Sequence, residues 1–529
     1  MTLQFGLVTL DILSSWIRMI LALGLSILFA LAVGIWAARS KRAEAVILPL
    51  LDIFQSIPIL GFFPFVIGAV YSGPLANAVG ANLAVIILIF TSMSWNIAFG
   101  VYESVKAIPQ DYADLLNMSQ ASTWQRVRSL YIPASMSRIA YNTQISWAVG
   151  LFFLVASEII TVGKASVPIP YGIGIGVSNW GNPANPDYPD YALLIAGIVV
   201  AVVIWRFLFL REFALWSEKF KMMEEPRESH RDPIMRFYSW VNHRSISKLF
   251  LMTHDSGVTR FTSSISRFGK GLKYSVLIFL AIFLLLIVGS AALSGNLSVS
   301  SLPSLASLAY DEPGILYALG VSFIRVWYVV GICIAVGLPM GIVISLNFKL
   351  YDTVSPILEV ISSIPAPVLL PAIVKIPGVG SNAEVVAAIV IFLSVFWYIV
   401  FNVMAGVRTL PGDIKDLPQV YRVSRIAAWR NVYIPSALTA LVTGAITAVG
   451  GAWNALIIAE YFQASNGTVL TQVSSGIGKD ITAATYSVPP NYTTLFLAVT
   501  SMTILIVTFN LTVWRRLYHR VTQRYAYNR

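Results

Sequence analysis

The sequence predicts an all-α polytopic membrane protein, built from two tandem parallel repeats of a five-helix unit plus one extra span, about 11 transmembrane helices in all. The first observation behind this fold class is composition: 57% of the residues are hydrophobic and only 12% are charged. A water-soluble chain of 529 residues needs more charge to cover its surface. The second is a series of apolar runs of about 20 residues, the length that crosses a bilayer as helix. The third is an internal repeat.

The repeat is clearest in two polar segments between apolar runs, here named the first island (Val101–Pro133) and the second island (Val403–Pro435). An offset of 302 superimposes the second island on the first. Each island reads as helix, turn and helix, and a serine in each is the predicted N-cap of the second helix. The aligned pairs singled out here are Asp111 with Asp413, Asp114 with Asp416, Leu115 with Leu417, Ser122 with Ser424, and Pro133 with Pro435.

The repeat extends from the islands into the spans. An offset of 307 places Arg325 on Arg18, and an offset of 302 places Glu460 on Glu158. The first offset also aligns Ser363-Ile364-Pro365 with Ser56-Ile57-Pro58, and the second aligns Gly476-Ile477-Gly478 with Gly174-Ile175-Gly176. The predicted spans are Trp16–Ala38, Val46–Tyr71, Leu83–Val101, Ile139–Val162 and Ala192–Leu210 in the first half, the extra span Val276–Leu293, and Leu316–Leu346, Val354–Ile376, Val385–Met404, Leu438–Phe462 and Thr494–Trp514 in the second half.

Basic residues predict the orientation. Lys and Arg cluster after the first span, in both islands, in the central linker and in the tail, and alternating spans place all of these on the cytoplasmic side of a cell membrane. The N-terminus is then outside and the C-terminus cytoplasmic. The net charge of +11 is assigned to these loops and not to nucleic-acid binding. The predicted domains are 1–210 (first unit), 211–273 (basic cytoplasmic linker), 274–315 (extra span and outer loop), 316–515 (second unit) and 516–529 (basic tail).

Charged and proline-containing positions inside the spans are candidates for a pathway between the two halves. Arg18 and Arg325 either attract an anion to the pathway or form structural ion pairs with Glu158 and Glu460, which also lie near the ends of spans. Ser56 with Pro58, and Ser363 with Pro365, interrupt the second span of each unit. They are either gate elements of the pathway or fixed kinks that serve packing.

The same sequence argues against several other kinds of site. One cysteine and four histidines without ligand spacing predict no metal site, and no cofactor is predicted. No G-x-x-x-x-G-K-[ST] motif occurs, so this chain is not itself predicted to bind a nucleotide. On repetition alone, the islands are either docking surfaces for two identical partners or loops that pack on their own bundle.

The islands resemble the EAA loops of ABC importer membrane subunits, in which Glu-Ala-Ala, three residues, Gly, nine residues, Ile, one residue and Leu-Pro follow in order. Counting back from Pro133 and Pro435 places Asp114 and Asp416 on the Glu of that pattern. Gln120 and Arg422 occupy the Gly position. The stretch Leu316–Phe462, with its segment IPAPVLLPAIVKIPGVG, is similar to the nitrate, sulfonate and taurine group of these permeases.

This resemblance implies a permease subunit that moves a small solute, an oxyanion such as nitrate, a sulfonate or taurine. It implies two ABC ATPase subunits bound to the islands on the cytoplasmic side, and a solute-binding protein on the other side of the bilayer. A gradient-driven secondary transporter of a small anion stays open as an alternative, although its acidic or His relays are nearly absent from the central spans. A membrane-embedded enzyme is a weaker rival, because no catalytic cluster is present.

Overall fold

The computed structural model describes residues 4–220 and 305–521, apart from 57, 71–76, 110, 113, 115–117, 119, 121, 164–168, 182–186, 409–417, 419, 465–466, 488–490, 515 and 518–519. The central linker and the predicted extra span Val276–Leu293 lie outside these residues. The described chain is almost entirely helical, with one two-stranded hairpin. The predicted all-α membrane fold with two repeated units is therefore confirmed.

The first half contains nine helices, and the second contains eight together with the hairpin, among the described residues. The helices of the first half are α1 (Phe5–Arg39), α2 (Lys41–Ser56), α3 (Ile59–Val70), α4 (Ala78–Lys106), α5 (Thr123–Arg126), α6 (Ile132–Gly163), α7 (Ile173–Trp180), α8 (Tyr188–Trp205) and α9 (Arg211–Glu218). The second half has α10 (Leu305–Leu346), α11 (Phe348–Ser362), α12 (Ala366–Val374), α13 (Ala383–Arg408), α14 (Arg425–Ala428), α15 (Ile434–Glu460), the antiparallel strands β1 (Tyr461–Gln463) and β2 (Val469–Gln472), α16 (Ile477–Tyr486) and α17 (Tyr492–Phe509).

Eight of the described helical segments are long and apolar enough to cross a membrane, or nine if the bent pair α11 and α12 counts as one span. This number leaves the predicted count of about 11 spans unconfirmed. One predicted span, Val46–Tyr71, is divided into α2 and α3 on either side of Pro58. Its counterpart bends by 77° between α11 and α12, next to Pro365. Proline has no N–H to donate and disfavours helical geometry in the residue before it, so the helix is interrupted at the same point of the repeat in both halves.

Helices α1 and α10 carry long rows of exposed apolar side chains. On α1 these recur at helical spacing and include Leu10, Leu13, Ile17, Ile20 and Leu28. A soluble protein rarely exposes such a continuous apolar surface, so these faces are the ones that meet lipid. The polar residues of α1 lie on its other side, where Asp11, Ser15 and Arg18 are buried.

The two halves interlock through their broken spans. Helix α3 of the first half packs against α15 and α16 of the second, and α12 of the second packs against α6 and α7 of the first. The backbone N–H of Ile59 donates to Asn454 Oδ1 at 2.8 Å, and Tyr191 Oη donates to the carbonyl of Val368. The helix that follows the proline break in each half, α3 or α12, thus packs on helices of the other half, as a pseudo-twofold arrangement requires.

Candidate functional site

A cavity of about 1130 Å³ lies between the two halves and is lined by residues from both. Its polar groups are mainly amides and hydroxyls on the repeated helices, among them Asn96 and Ser146 of the first half and Ser394, Asn402 and Asn454 of the second. Several of these side chains hydrogen-bond to backbone carbonyls; for example, Asn142 Nδ2 donates to the carbonyl of Asn96 at 2.9 Å. A cavity at the interface of two parallel repeats is where a transported solute passes in such architectures.

Charged side chains line the cavity in equal numbers of each sign among the described residues. Two of the arginines face carboxylates: Arg206 of α8's π-helical extension pairs with Glu359 of α11, and Arg138 Nη1 lies 3.4 Å from Glu103 Oε2. The Arg206–Glu359 pair joins the two halves of the molecule. The charged lining residues are Arg138, Arg206, Arg211, Glu103, Glu218 and Glu359.

Aromatic rings form much of the remaining wall. Trp147 stacks on Trp205 with ring centroids 4.4 Å apart, and Trp205 stacks at the same distance on Phe209, which lies behind the described lining residues. In the second half Trp327 stacks on Trp514 at 5.7 Å. Each of these ring pairs joins different turns or helices, so the aromatic wall is held by side-chain packing and not by charge.

Arg18 lies in a buried hydrogen-bond network of the first half and is 5% exposed. Its Nη1 is 2.5 Å from Glu158 Oε1, its Nε donates to Asn82 Oδ1 at 2.6 Å, and its Nη2 donates to the carbonyl of Tyr171 at 2.8 Å. Ser15 Oγ also donates to Glu158 Oε1, at 2.7 Å. Each of the three guanidinium nitrogens therefore donates to an acceptor, and one of these acceptors is the Glu158 carboxylate, so the buried charge is compensated.

The carboxylate of Glu158 also accepts from the start of α7. The N–H of Gly174 donates to Glu158 Oε2 at 2.8 Å, and the N–H of Ile173 donates to Ser15 Oγ at 2.9 Å. A Cβ added at Gly174 would lie 2.6 Å from the Glu158 Cβ, so this close approach requires glycine. The network thereby fixes α7 to α1 and α6.

Arg325 occupies the equivalent place in the second half. Its Nη1 contacts Glu460, its Nη2 donates to Glu384 Oε2 at 2.6 Å, and Ser322 Oγ donates to Glu460 Oε1 at 2.6 Å. The N–H of Gly478 donates to Glu460 Oε2 at 2.8 Å. The same serine, arginine, glutamate and glycine are therefore brought together twice.

The structure corrects the alignment of the glycine segment by two residues. Gly476-Ile477-Gly478 corresponds to Gly172-Ile173-Gly174, because Ile477 N–H donates to Ser322 Oγ at 2.9 Å as Ile173 N–H does to Ser15. The alignment with Gly174-Ile175-Gly176 was wrong. Residues 172–176 read Gly-Ile-Gly-Ile-Gly, a period of two that lets both registers match in sequence.

The structure thus places Arg18, Glu158, Arg325 and Glu460 in ion pairs, and none of the four is among the described residues that line the cavity. The broken spans do reach it: Ser363 and Pro365 line the cavity, where Ser363 Oγ donates to the carbonyl of Glu359 at 2.7 Å. Pro58 is buried next to the lining residue Ile59, and the side chain of Ser56 lies outside the described part.

Both islands contain the same left-handed turn. Gln120 has φ of 51° and Arg422 has φ of 47°, and these are the two described non-glycine residues with positive φ. They occupy the position at which the EAA pattern has Gly. The backbone therefore keeps the turn that glycine favours, at a cost of about 1–2 kcal/mol for each side chain.

A capped short helix follows the turn in each island. Ser122 Oγ accepts from Gln125 N–H at 3.3 Å, Gln125 Oε1 accepts from Ser122 N–H at 2.7 Å, and Ser424 Oγ accepts from Ala427 N–H at 3.3 Å. Both predicted N-caps are confirmed. Each short helix passes through a π-helical segment, Val127–Tyr131 or Trp429–Tyr433, into the long helix that holds the half-buried Pro133 or Pro435.

The remaining island residues are placed only in part. Asp111 and Asp114 are exposed, as are Gln120, Ser122, Arg422 and Ser424. Leu115, Asp413, Asp416 and Leu417 lie outside the described residues. Both islands connect helices that line the cavity, α4 to α6 and α13 to α15. Each island is therefore continuous in sequence with two helices of the cavity wall.

Sequence reasoning missed three partners of these networks. Asn82, Glu384 and Asp11 were not singled out, although the offset of 302 aligns Glu384 with Asn82. Asn82 and Glu384 could have been predicted, because they are polar residues that align across the repeat near the ends of apolar runs. The Arg206–Glu359 pair has no such signal, because it joins non-equivalent positions of the two halves.

Comparison with known proteins agrees with this architecture. The family described as "Binding-protein-dependent transport system inner membrane component" matches the chain twice, at residues 30–213 and 333–523. The nitrate import permease protein NrtB of Synechocystis is 29% identical over 162 residues, which cover 30% of this chain and 58% of that protein. The bicarbonate transport system permease protein CmpB of Synechococcus elongatus is 33% identical over 150 residues, 28% of this chain and 52% of that protein.

A third relative, the taurine transport system permease protein TauC of Escherichia coli, is 26% identical over 158 residues, 30% of this chain and 56% of that protein. The aligned part spans a little over half the length of these three relatives. The chain belongs to the family of binding-protein-dependent transport inner membrane components, a transport family and not an enzyme class. It carries two permease units of that family fused in one polypeptide.

Proposed function

We propose that this chain is the complete transmembrane part of an ATP-driven importer, with both islands on the cytoplasmic side. Separate ATPase subunits bind the islands, a binding protein delivers the solute to the opposite face, and ATP hydrolysis moves the cavity walls. The observation that carries the proposal is the twin geometry of the islands: the same left-handed turn, capped helix and π-helical segment, each joined to two cavity-lining helices.

The solute in this proposal is a small oxyanion, the class to which the solutes named for the nitrate and bicarbonate relatives belong. Among the described lining residues the charges balance, with Arg206 on Glu359 and Arg138 on Glu103, so these residues give no excess of positive charge to hold an anion. Weak binding of the solute in the cavity allows its release on the cytoplasmic side. Selectivity then rests with the binding protein.

The experiment reverses charge on both islands at once, with Asp114→Arg plus Asp416→Arg. We expect the double variant to lose the co-purifying ATPase and solute uptake together, because the acidic residue aligned with the Glu of the EAA pattern is replaced in both docking surfaces by a longer side chain of opposite charge. Lys349→Glu, a charge reversal at an exposed position in the first turn of α11, is the matched control and should keep both.

A second measurement separates the importer from a gradient-driven transporter. Uptake into proteoliposomes that contain the co-purified complex should require internal ATP and survive a protonophore. If the ATPase stays bound to the double variant, and uptake follows the proton gradient without ATP, the chain is a secondary transporter and the proposal is wrong.

A further inference from the structure

The serine and threonine side chains of the cavity wall keep their protons inside the protein. Each hydroxyl among the described lining residues donates to a protein oxygen; for example, Ser394 Oγ donates to the carbonyl of Val390 at 2.7 Å. A hydroxyl has a single proton, so these groups offer a solute lone pairs and no donor. The residues concerned are Ser92, Ser146, Ser355, Ser362, Ser363, Ser394, Thr443 and Thr447.

Some indole N–H groups of the cavity wall are in the opposite condition. The indole nitrogens of four lining tryptophans are buried and have no hydrogen-bond acceptor among the described residues. No other tryptophan in the described part of the chain has a buried N–H of this kind. An indole N–H can only donate, and burying it without an acceptor costs free energy. The four are Trp95, Trp147, Trp205 and Trp327.

These rings are held by packing against other rings. Trp147 of α6 and Trp205 at the end of α8 stack with centroids 4.4 Å apart, so two unpaired donors are carried by adjacent rings. Trp95 stacks on Phe54 at 5.7 Å, and Trp327 brings a donor from the second half. A shift of these helices can therefore turn an indole N–H toward the cavity without breaking a hydrogen bond.

Unpaired neutral donors suit a small oxyanion. The arginines Arg206 and Arg138 already face carboxylates, so neither offers an unopposed positive charge. A hydrogen bond from an N–H group to an anion is about twice as strong as one between neutral groups. Indole N–H groups can thus recognise the oxygens of an anion without a fixed positive charge on the wall.

We infer that the indole N–H groups of Trp147 and Trp205 bind the oxygen atoms of the solute in the loaded conformation of the cavity, with Trp95 and Trp327 as further donors. The groups are unpaired in the present conformation and paired in the loaded one. Solute binding therefore shifts the chain toward the loaded conformation by the free energy of those bonds. This inference rests on the proposed function and names the residues that recognise its solute.

The test replaces single tryptophans by β-(3-benzothienyl)alanine, which keeps the shape of the ring system and has sulfur in place of the N–H. The full chain with the analogue at Trp147 or Trp205 is purified with its ATPase and binding protein and reconstituted into proteoliposomes. We expect the KM for ATP-driven uptake of nitrate, bicarbonate or taurine to rise about tenfold at each position, the effect of losing one hydrogen bond to a charged group. The same replacement at Trp36, which is not among the described lining residues, is the matched control and should leave the KM unchanged.

Thermal unfolding of the solute-free chain gives a second measurement with the opposite sign. Removal of a buried, unpaired N–H should raise the midpoint of unfolding by about 1 °C, because an unsatisfied donor is lost while the ring packing is kept. A ring with a purely structural role would change neither the midpoint nor the KM. A fall in the midpoint would show that the N–H groups are already paired, and would overturn the inference.

The uptake assay separates failure of the inference from failure of the proposed function. An unchanged KM with the analogue at each of Trp95, Trp147, Trp205 and Trp327 overturns the inference, while ATP-driven uptake and the proposed function stand. A solute with a quaternary ammonium group would give that result, because it binds to ring faces that the analogue keeps. If the parental complex takes up none of nitrate, bicarbonate and taurine with ATP, the proposed function fails, and the inference with it.

Discussion

The two halves of this molecule repeat a backbone and vary its side-chain partners. Each buries one arginine with two carboxylates, but the second carboxylate has moved. In the first half it is Asp11, whose Oδ1 accepts from Gly172 N–H at 2.8 Å, and Asn82 binds the arginine. In the second half Ala318 stands at the position of Asp11, and Glu384 stands at that of Asn82. A second carboxyl group is thus present in both halves, but it lies at a buried site in the first and at a half-exposed site in the second.

The joint between the second span and the island shows the same substitution of one interaction by another. In the first half Glu44 accepts from Tyr102 Oη at 2.5 Å and from Lys106 Nζ at 2.7 Å. The equivalent residues of the second half are Tyr351 and Arg408, and the guanidinium lies 4.0 Å above the ring centroid. The first half thus joins these two positions by an ion pair, and the second half joins the equivalent positions by a cation–π contact.

The largest difference between the halves should appear when the shared glutamate is neutralised. Glu158→Gln removes the carboxylate that Arg18 contacts, whereas in Glu460→Gln the guanidinium of Arg325 keeps Glu384. Asp11 accepts from Gly172 N–H, whereas Glu384 bonds Arg325 directly. We therefore expect Glu158→Gln to cost about 3–5 kcal/mol, the usual result of removing the bonded partner of a buried charge, and Glu460→Gln to cost about half as much. Denaturant unfolding in detergent measures both. Equal losses would show that Glu384 does not compensate.

The ion pair across the cavity should show a smaller effect, visible in transport. An offset of 304 aligns Asn510 with Arg206, and the offset of 307 aligns Asp52 with Glu359, so the opposite interface has no such arginine. Glu359→Gln should lower the KM for an anion several-fold by leaving Arg206 positive, and Arg206→Gln should raise it by a similar factor. The double variant should return near the parental value. Shifts of the same sign would exclude an anion from this part of the pathway.

Substitutions in the left-handed turns of the islands should change stability by less than substitutions in these ion pairs. Gln120→Gly and Arg422→Gly should each stabilise the island by about 0.5–1 kcal/mol, because relief of the side-chain clash exceeds the added entropy of glycine in the unfolded chain. Thermal unfolding with the ATPase removed measures this gain for both. A loss of stability in either variant would contradict a strained turn.

The smallest effect should come from the joints. Hydrogen bonds from Lys106 and Tyr102 hold the pKa of Glu44 below its ordinary value of 4.5. The bonds are therefore present above pH 4.5 and are lost as the pH falls through the lower folded pKa. Hydrogen exchange of Lys41–Ser56 should rise relative to that of Phe348–Ser362 in acid and in 1 M salt, where screening is strong. An unchanged ratio would mean that Glu44 does not hold the joint.

The repeat was the part of the fold that the sequence made easiest to predict. Offsets of 302 and 307 aligned the islands, the N-caps Ser122 and Ser424, and the ion-pair residues Arg18 and Arg325, since these depend on local chemistry at fixed spacing. The register of the glycine segment was ambiguous, because a period of two fits twice. The cavity and the Arg206–Glu359 pair could not be predicted from the sequence, because both form only where one half packs against the other.

The reciprocal placement of α3 and α12 has a consequence for the integrity of the protein. Each half covers part of its apolar surface with an arm that belongs to the other, and Ile59 and Tyr191 add hydrogen bonds across that boundary. A protease that cuts the chain between residues 221 and 304 would therefore leave two fragments clasped together. The single polypeptide fixes the one-to-one ratio of the two halves during synthesis, and the contacts of α3 and α12 hold the halves together afterwards.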